Sequence, residues 1–260
     1  VSTTSSPSQA SSSVSGPAVL LATEQGSAGG ADAGSNMIKI SQVPLSQSAR
    51  DVIPVGKAIA LTRRYVERPE ATTPALTVAV NMRVSQAEVW QRRGRMAEAD
   101  AAIRDALPLL ERGLARDPHD TWALAGAISL HGVHARILGN QTGLASLGRW
   151  RQACASADRA RAAAETTLRA DPANLYGPDS LAFTLGEQAQ CRLLAGQADE
   201  AAALAERQIG LRDQMAAKRP DDLDFRWQRA VARALLARAR SAQGQHPQAL
   251  SLLAEATDLG

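Results

Sequence analysis

The stretch GQADEAAALAERQIGLRDQMAAKRP, residues 196–220, decides the fold of this chain. It opens with Gly196, carries Ala201 five residues later and ends at Pro220, nineteen residues after that alanine. Glycine commonly ends a helix because it tolerates left-handed backbone angles, and proline cannot continue one. Most of the residues between them are strong helix formers. The stretch therefore predicts one helix of about 20 residues, or about 30 Å, between two turns.

The same pattern of glycine and alanine occurs four times, and three of the copies reach a proline. The motif residues are Gly94, Ala99 and Pro118, then Gly148, Ala153 and Pro172, then Gly196, Ala201 and Pro220, then Gly244 and Ala249. The gap from proline to the next glycine is the same in the last two cases and six positions longer in the first. The chain thus repeats with a period of 48, apart from one six-residue insertion. Each half-repeat is a helix and a turn, so neighbouring helices run antiparallel.

Small residues recur at fixed positions in each repeat, and they predict where the two helices of a pair touch. Each second helix has alanine five residues after its glycine, and most first helices have alanine seven residues before it. The positions nine residues after the glycine are Ile103, Ala157, Ala205 and Leu253, and the facing alanines of the first helices are Ala87, Ala189 and Ala237. Small residues on facing helices allow their axes to approach closely.

Composition agrees with an all-α fold, because 45% of the 260 residues are apolar but only 3% are aromatic. A core of Ala and Leu excludes a β-sandwich, a barrel and a doubly wound α/β sheet. Of the first 46 residues, 20 are Ser, Thr or Gly, which predicts a flexible, disordered linker over 1–46. The apolar patch Met37 to Leu45 inside it could dock as an extended strand. Residues 47–260 are predicted to form the helical-repeat domain, with a leading helix at about 52–68 before four helix pairs.

Several kinds of site are excluded by what the sequence lacks. The sequence has no run of about 18 apolar residues, which is the length that a membrane-spanning helix needs. A net charge of +3 with few aromatic residues does not indicate a nucleic-acid partner. The glycine-rich insertion Gly139 to Gly148 lacks the Gly-Lys-Ser/Thr of a phosphate-binding loop. His131 and His134 have no third ligand at metal-binding spacing, so we expect them to pack in the interior. The sequence therefore predicts no enzyme, no metal and no cofactor.

Cysteine, proline and arginine raise three further expectations. Cys154 and Cys191 should lie near the same end of adjoining helices, as two buried thiols, or as a disulfide if the domain is extracytoplasmic. Pro108 falls inside the predicted helix 97–116 and should kink it. The arginines concentrated on the first helix of the fourth pair form either a solvated face or a receptor for carboxylates and phosphates. They are Arg226, Arg229, Arg233, Arg238 and Arg240.

The helix pair with Gly, Ala and Pro at these positions resembles the tetratricopeptide repeat (TPR) family. The usual period of that family is 34, and the extra residues here lengthen each helix by about two turns. The repeat is similar to the long-helix arrays that follow many bacterial serine/threonine kinase domains, whose Asp-Pro closings resemble Asp117-Pro118 and Asp171-Pro172. An aromatic residue follows each closing here, at Trp122, Tyr176 and Phe225. The chain itself contains no kinase signature.

The resemblance implies a right-handed solenoid whose first helices line a concave groove that holds a partner's peptide. Groove residues would stand six, three and two residues before each glycine, with Arg136 assigned in the second pair. The candidate partner-binding residues are Glu88, Gln91, Arg92, Arg136, Gln190, Arg238 and Ser241, and the same positions also hold Leu193, Leu194 and Ala242. Leu193 and Leu194 could equally belong to the core.

These observations favour a non-catalytic protein-interaction module that binds a protein or peptide, with an acidic partner as one option. The alternative is a ligand- or peptide-sensing regulatory region of a bacterial signalling protein, such as a membrane-bound kinase. Self-association through the terminal helices stays open. The chain starts at Val1 without a signal core, which indicates a start inside a longer protein. The compartment is then either the cytoplasm or the outside of a membrane-anchored protein.

Overall fold

The structure is a computed structural model that describes residues 55–139, 145–172 and 176–259. The predicted linker 1–46 and the Met37 to Leu45 patch lie outside the described residues. All regular secondary structure in the described ranges is helical. The helices are α1 Val55–Val66, α2 Thr73–Arg92, α3 Met96–Arg116, α4 Thr121–Leu138, α5 Trp150–Ala170, α6 Tyr176–Leu194, α7 Ala198–Lys218, α8 Leu223–Ala242 and α9 His246–Leu259.

The helices form an array in which α1 is followed by four antiparallel pairs, α2–α3, α4–α5, α6–α7 and α8–α9. Each second helix also packs on the first helix of the next pair. The predicted all-α fold of stacked helix pairs is confirmed. No helix in the described part of the chain is long and apolar enough to cross a bilayer.

The four repeat glycines all adopt the left-handed backbone conformation that the sequence analysis assigned to them. Their φ angles are +72° at Gly94, +67° at Gly148, +75° at Gly196 and +76° at Gly244. A side chain would strain the backbone there, so glycine fixes the turn inside each pair. The last three of these turns are evenly spaced along the chain, and the spacing between the first two is longer by the six-residue insertion.

The core lies between the helices and consists mainly of alanine and leucine. The alanines five residues after each glycine are buried, and so are Ala87, Ala189 and Ala237 on the facing first helices. Ile103, Ala157 and Ala205 are fully buried, whereas Leu253 on α9 is exposed. Inside the array, facing small residues therefore let neighbouring helices pack closely.

Two local features depart from an ideal repeat. Pro108 is exposed inside α3, which runs as a single helix from Met96 to Arg116. The insertion follows α4, and its end is fixed by two backbone hydrogen bonds. The amide of Leu147 donates to the carbonyl of Ile137 (2.9 Å), and that of Arg149 donates to the carbonyl of Leu138 (2.7 Å). The extra residues thus lengthen the turn between α4 and α5 and leave the helices in place.

Cys154 and Cys191 form a disulfide, so their interpretation as two separate buried thiols was wrong. Their Cα atoms are 5.4 Å apart, because the antiparallel packing of α5 and α6 brings the N-terminal end of α5 next to the C-terminal end of α6. The expected proximity was correct. The bond joins the second pair to the third across 37 residues of sequence.

Candidate functional site

The first helices of the four pairs carry a row of polar side chains on one face of the array. The row consists of Glu88 on α2, Arg136 on α4, Gln190 on α6 and Arg238 on α8, and we call these four residues the inner row. Arg136 Nη2 lies 3.3 Å from Glu88 Oε1, and Arg238 Nη1 donates to Gln190 Oε1 at 2.6 Å. These contacts join α2 to α4 and α6 to α8. Four of the predicted site residues are thus brought together in two contacting pairs.

Arg136 lies near the middle of this face and is neutralised by two carboxylates. Its Nε atom is 3.9 Å from Glu187 Oε1, in addition to the contact with Glu88. The guanidinium also lies over the ring of Phe183, 5.5 Å from its centroid. An arginine with two acidic neighbours and an aromatic support is a weak receptor for a further anion. We infer that Arg136 positions the neighbouring helices.

The other predicted positions differ in their exposure. Gln91 is only 3% exposed, and its side-chain amide donates to the carbonyl of Ala145 in the insertion at 3.2 Å. It therefore holds the insertion against α2 and has no surface for a partner. Arg92 and Ser241 are exposed. Leu194 is also exposed, whereas Leu193 packs against the core between the third and fourth pairs.

The sequence analysis missed two residues of this face, Glu187 and Phe183, both on α6. Glu187 stands three residues before Gln190, a spacing that places two side chains on the same side of a helix. That spacing was the available signal for Glu187. The role of Phe183 depends on Gly132 of α4, where an added Cβ would come within 2.6 Å of the phenylalanine ring. No sequence pattern shows such a contact.

The arginines of α8 mostly hold helices together, which neither of the two interpretations from sequence foresaw. The pairs are Arg229 with Asp213 (2.7 Å), Arg233 with Asp213 (3.0 Å) and Glu255 (3.4 Å), and Arg240 with Glu206. Burial disfavours the ionised form of Asp213, but hydrogen bonds from Arg233 and Arg229 outweigh that effect and lower its pKa. These contacts bind α8 to α7 and α9, so only Arg238 of this group reaches the inner row.

His131 and His134 lie on α4, where it meets its neighbouring helices. His131 is buried, and burial, together with the positive charges of Arg159 and His134, lowers its pKa to about 4. His134 Nε2 lies 3.2 Å from Asp100 Oδ1, yet burial outweighs this contact and lowers the pKa of His134. Asp100 is also 3.4 Å from Arg104 and 3.7 Å from Arg149. Among the described residues, no group of three or more acidic, histidine or cysteine side chains could hold a metal ion.

Two cavities lie among the described residues of the array, one open and one very small. A polar cavity of about 460 Å³ lies between the turns α6–α7 and α8–α9, lined by residues that include Asp199, Glu200 and Gln243. A second cavity, of about 10 Å³, lies beside Arg136 and Cys191. Pockets for small organic ligands are usually enclosed, mostly apolar and about 300 to 1,000 Å³ in volume. The first cavity is open and polar, and the second is too small.

No model of a known protein family matches the sequence, and no curated protein matches it. Solved structures do. BtubC (BKLC) from P. vanneervenii is 17% identical with a TM-score of 0.55, over 79% of this chain and 72% of that one. A Podosopora anserina putative kinesin light chain with nearly identical TPR-like repeats is 20% identical with a TM-score of 0.41, over 79% and 93%. MamA (MSR-1 C2) is 17% identical with a TM-score of 0.36, over 78% and 92%.

The likeness to BtubC extends over most of both chains, and at this identity it bears on the fold alone. It agrees with the geometry of the chain itself, in which antiparallel helix pairs stack in sequence and a left-handed glycine closes the turn inside each pair. The chain therefore has a TPR-like fold of stacked helix pairs.

Proposed function

We propose that the chain is a non-catalytic interaction module that holds a segment of a partner protein against the face formed by α2, α4, α6 and α8. The observation that carries this proposal is the inner row, in which polar residues of four successive repeats form two contacting pairs, Glu88 with Arg136 and Gln190 with Arg238. Helical-repeat arrays use such rows as extended binding surfaces, because each repeat adds one helix to the same face. A partner segment would lie along the row and contact several pairs at once.

The charge of this face favours a partner with acidic groups at two places. Arg136 is neutralised within the row, so it adds little attraction. Arg92 on α2 is exposed, and Arg238 on α8 contacts the uncharged amide of Gln190. A guanidinium forms charge-assisted hydrogen bonds with carboxylates, often two at once. We therefore place the acidic groups of the partner at Arg92 on α2 and at Arg238 on α8, with Ser241 beside Arg238.

The disulfide bears on the compartment. Disulfides persist in oxidising environments and are rare in the cytosol of most organisms. Since the bond joins the two cysteines of the chain, we place the domain outside the cytoplasm, as in the extracytoplasmic region of a membrane-anchored protein. The ligand-sensing alternative remains compatible with that location.

The test is affinity capture from an extract of the source organism with three forms of the protein. These are the intact chain, an Arg92→Glu/Arg238→Glu variant, and an Arg151→Glu/Arg219→Glu control with the same change of charge. The control residues are exposed and lie outside the first helices. Circular dichroism first establishes that all three forms are folded.

A protein captured by the intact chain and the control, but lost by the Arg92→Glu/Arg238→Glu variant, supports binding along the inner row. Titration calorimetry with peptides of that protein then measures the affinity. Identical captures by all three forms, or no capture, would contradict the proposal and favour the ligand-sensing role or binding on the opposite face.

A further inference from the structure

The turns inside the first two pairs carry a cluster of arginine and tryptophan side chains. Residues 90–104 and 145–152 contain six arginines and two carboxylates, a net charge of +4, whereas the whole chain has a net charge of only +3. Positive charge is therefore concentrated at these two turns. Four exposed arginines and the two tryptophans beside them form what we call the basic edge, namely Arg93, Arg95, Arg149, Arg151, Trp90 and Trp150.

Contacts between the pairs bring these two turns together. The side-chain amide of Gln91 donates to the carbonyl of Ala145 at 3.2 Å, and Arg149 Nη1 lies 3.7 Å from Asp100 Oδ2 of α3. The helices of each pair are antiparallel and successive pairs pack side by side, so the turns inside the pairs lie along one edge of the array. The basic edge thus occupies neighbouring helix ends.

Two arginines of the basic edge contact tryptophan rings in place of carboxylates. The guanidinium of Arg93 lies 5.7 Å from the ring centroid of Trp90, and that of Arg151 lies 4.7 Å from the ring centroid of Trp150. Among the described residues, no carboxylate forms an ion pair with either arginine. A guanidinium on an aromatic face keeps its charge and its hydrogen-bond donors for an anion. These arginines are therefore free to bind one.

The fold does not require this cluster, because the equivalent turns of the last two pairs lack it. The equivalent stretches, 192–206 and 241–248, contain one arginine and three carboxylates, a net charge of −2. Arg192 and His246 stand at the positions of the two tryptophans. All four turns nevertheless close with the same left-handed glycine. A charge that half of the repeats lack indicates a role other than folding.

We propose that the basic edge binds the surface of a membrane that contains anionic phospholipids. A guanidinium forms two hydrogen bonds with a phosphate, and each basic residue near an anionic membrane strengthens binding. Tryptophan is enriched at membrane surfaces because its ring suits the level of the headgroups. Arginine beside tryptophan at exposed helix ends, with Trp150 36% exposed, has the chemistry that such a surface binds.

The position of the cluster favours a membrane over an acidic protein segment. Its side chains lie at the ends of helices along an edge, where a flat surface can contact both turns at once. A peptide along the inner row would contact the sides of the first helices. Membrane binding through the basic edge leaves the inner row free, so capture of a partner protein through that row is independent of it.

The test measures binding of the full chain to vesicles of phosphatidylcholine alone and of an equal mixture of phosphatidylcholine and phosphatidylglycerol. Cosedimentation with the vesicles gives the affinity, and added salt should weaken it. Tryptophan emission locates the contact in a Trp122→Phe/Trp227→Phe background. Since the chain has four tryptophans, only Trp90 and Trp150 then report.

The variant is Arg93→Gln/Arg151→Gln, which removes two charges from the basic edge. The matched control is Arg64→Gln/Arg219→Gln, which removes two exposed arginines from helix ends at the opposite edge. Thermal melts compare the folding of both variants with that of the intact chain. If the double variant melts at a lower temperature, Arg151→Gln alone replaces it.

The intact chain and the control should bind the mixed vesicles but not phosphatidylcholine alone, with a shift of tryptophan emission to shorter wavelength. The double variant should bind about thirtyfold more weakly, because each basic residue contributes about fivefold. No binding to the mixed vesicles at low salt would overturn the proposal, and an acidic protein would then be the partner of this edge. Equal binding by the double variant, or binding without a change in emission, would overturn it as well.

Discussion

Ala201 is fully buried in the core that joins the third and fourth pairs, five residues after a repeat glycine. Leucine at this position has no space unless the helices move apart. We expect Ala201→Leu, like Ala99→Leu in the first pair, to lower the free energy of unfolding by about 1 to 3 kcal/mol. Urea unfolding of each variant and of the intact chain measures this loss of free energy. Ala203→Leu is the control, because Ala203 is exposed on the same helix, and equal stability of both variants would show that the small-residue column is misplaced.

His131 makes stability depend on pH. Its pKa falls to about 4 in the folded chain, whereas that of an unfolded histidine is about 6.5. The unfolded state therefore takes up a proton first as the pH falls. Stability is complete above about pH 6.5 and declines by about 3 kcal/mol as the pH falls to about 4, below which this residue causes no further loss.

The measurement is urea unfolding of the intact chain and of His131→Leu at several pH values between about 4 and 8. Carboxylates such as Asp213, whose pKa is also lowered, contribute to both proteins and cancel in the difference. We expect the stability difference between the two proteins to change with pH across this window. A constant difference would mean that folding does not lower the pKa of His131.

At the level of the helix and its turn, two glycines should respond in opposite directions to the same substitution. Gly196 has a φ of +75°, and an added Cβ would contact nothing within 4 Å, so only backbone strain opposes alanine there. Gly210 lies inside α7, where a Cβ also has open space. We expect Gly196→Ala to destabilise by about 1 kcal/mol and Gly210→Ala to stabilise by about 0.5 to 1 kcal/mol. Thermal melts of both variants check the signs, and a shift in the same direction would refute this account of the turn.

The disulfide links two helices that belong to different pairs, so its loss should act on the junction between them. By the chain-entropy model, closing 37 residues contributes about 4 kcal/mol. We expect Cys154→Ala/Cys191→Ala to be less stable than the oxidised chain by about this amount. In reductant, the variant and the intact chain should be equally stable. Thiol titration of the unfolded, unreduced protein should find no free thiol. Two free thiols would contradict both the bond and the proposed compartment.

The helices themselves could be predicted from local sequence, because glycine and proline mark their ends. The helix predicted at 97–116 is observed as Met96–Arg116, and the leading helix predicted at about 52–68 is described from Val55 to Val66. These signals depend on backbone conformation, which each residue determines locally. The contacts of the candidate site follow less directly from local sequence, because they join residues that are far apart along the chain.

Two residues show where the local signal ends. Its position three residues before Gly94 placed Gln91 in the groove, but its side-chain amide donates a hydrogen bond to the carbonyl of Ala145 in the insertion, 54 residues later. Arg136 was assigned to the groove in the second pair, where the insertion shifts the spacing, and it contacts Glu88 and Glu187 of two other helices. Such contacts depend on the relative rotation of neighbouring helices, which a period does not specify.

Across the whole molecule, each pair contacts mainly its neighbours, so a local defect should remain local. Asp213 provides the test because it joins α7 to Arg229 and Arg233 of α8. Asp213→Ala leaves both arginines without this partner. Since the pairs are partly exposed, the expected loss is about 1 kcal/mol, or about fivefold faster hydrogen exchange in α8 and α9.

Amide exchange measured by mass spectrometry should then show α2 to α5 unchanged in Asp213→Ala. The control is Glu67→Ala, which breaks the exposed pair between Arg63 and Glu67 at the other end (2.7 Å) and should leave α8 and α9 unaffected. Exchange that rises equally in every helix of Asp213→Ala would mean that the array unfolds as one unit. In that case the terminal pair could not open separately, and stability would not be distributed along the array pair by pair.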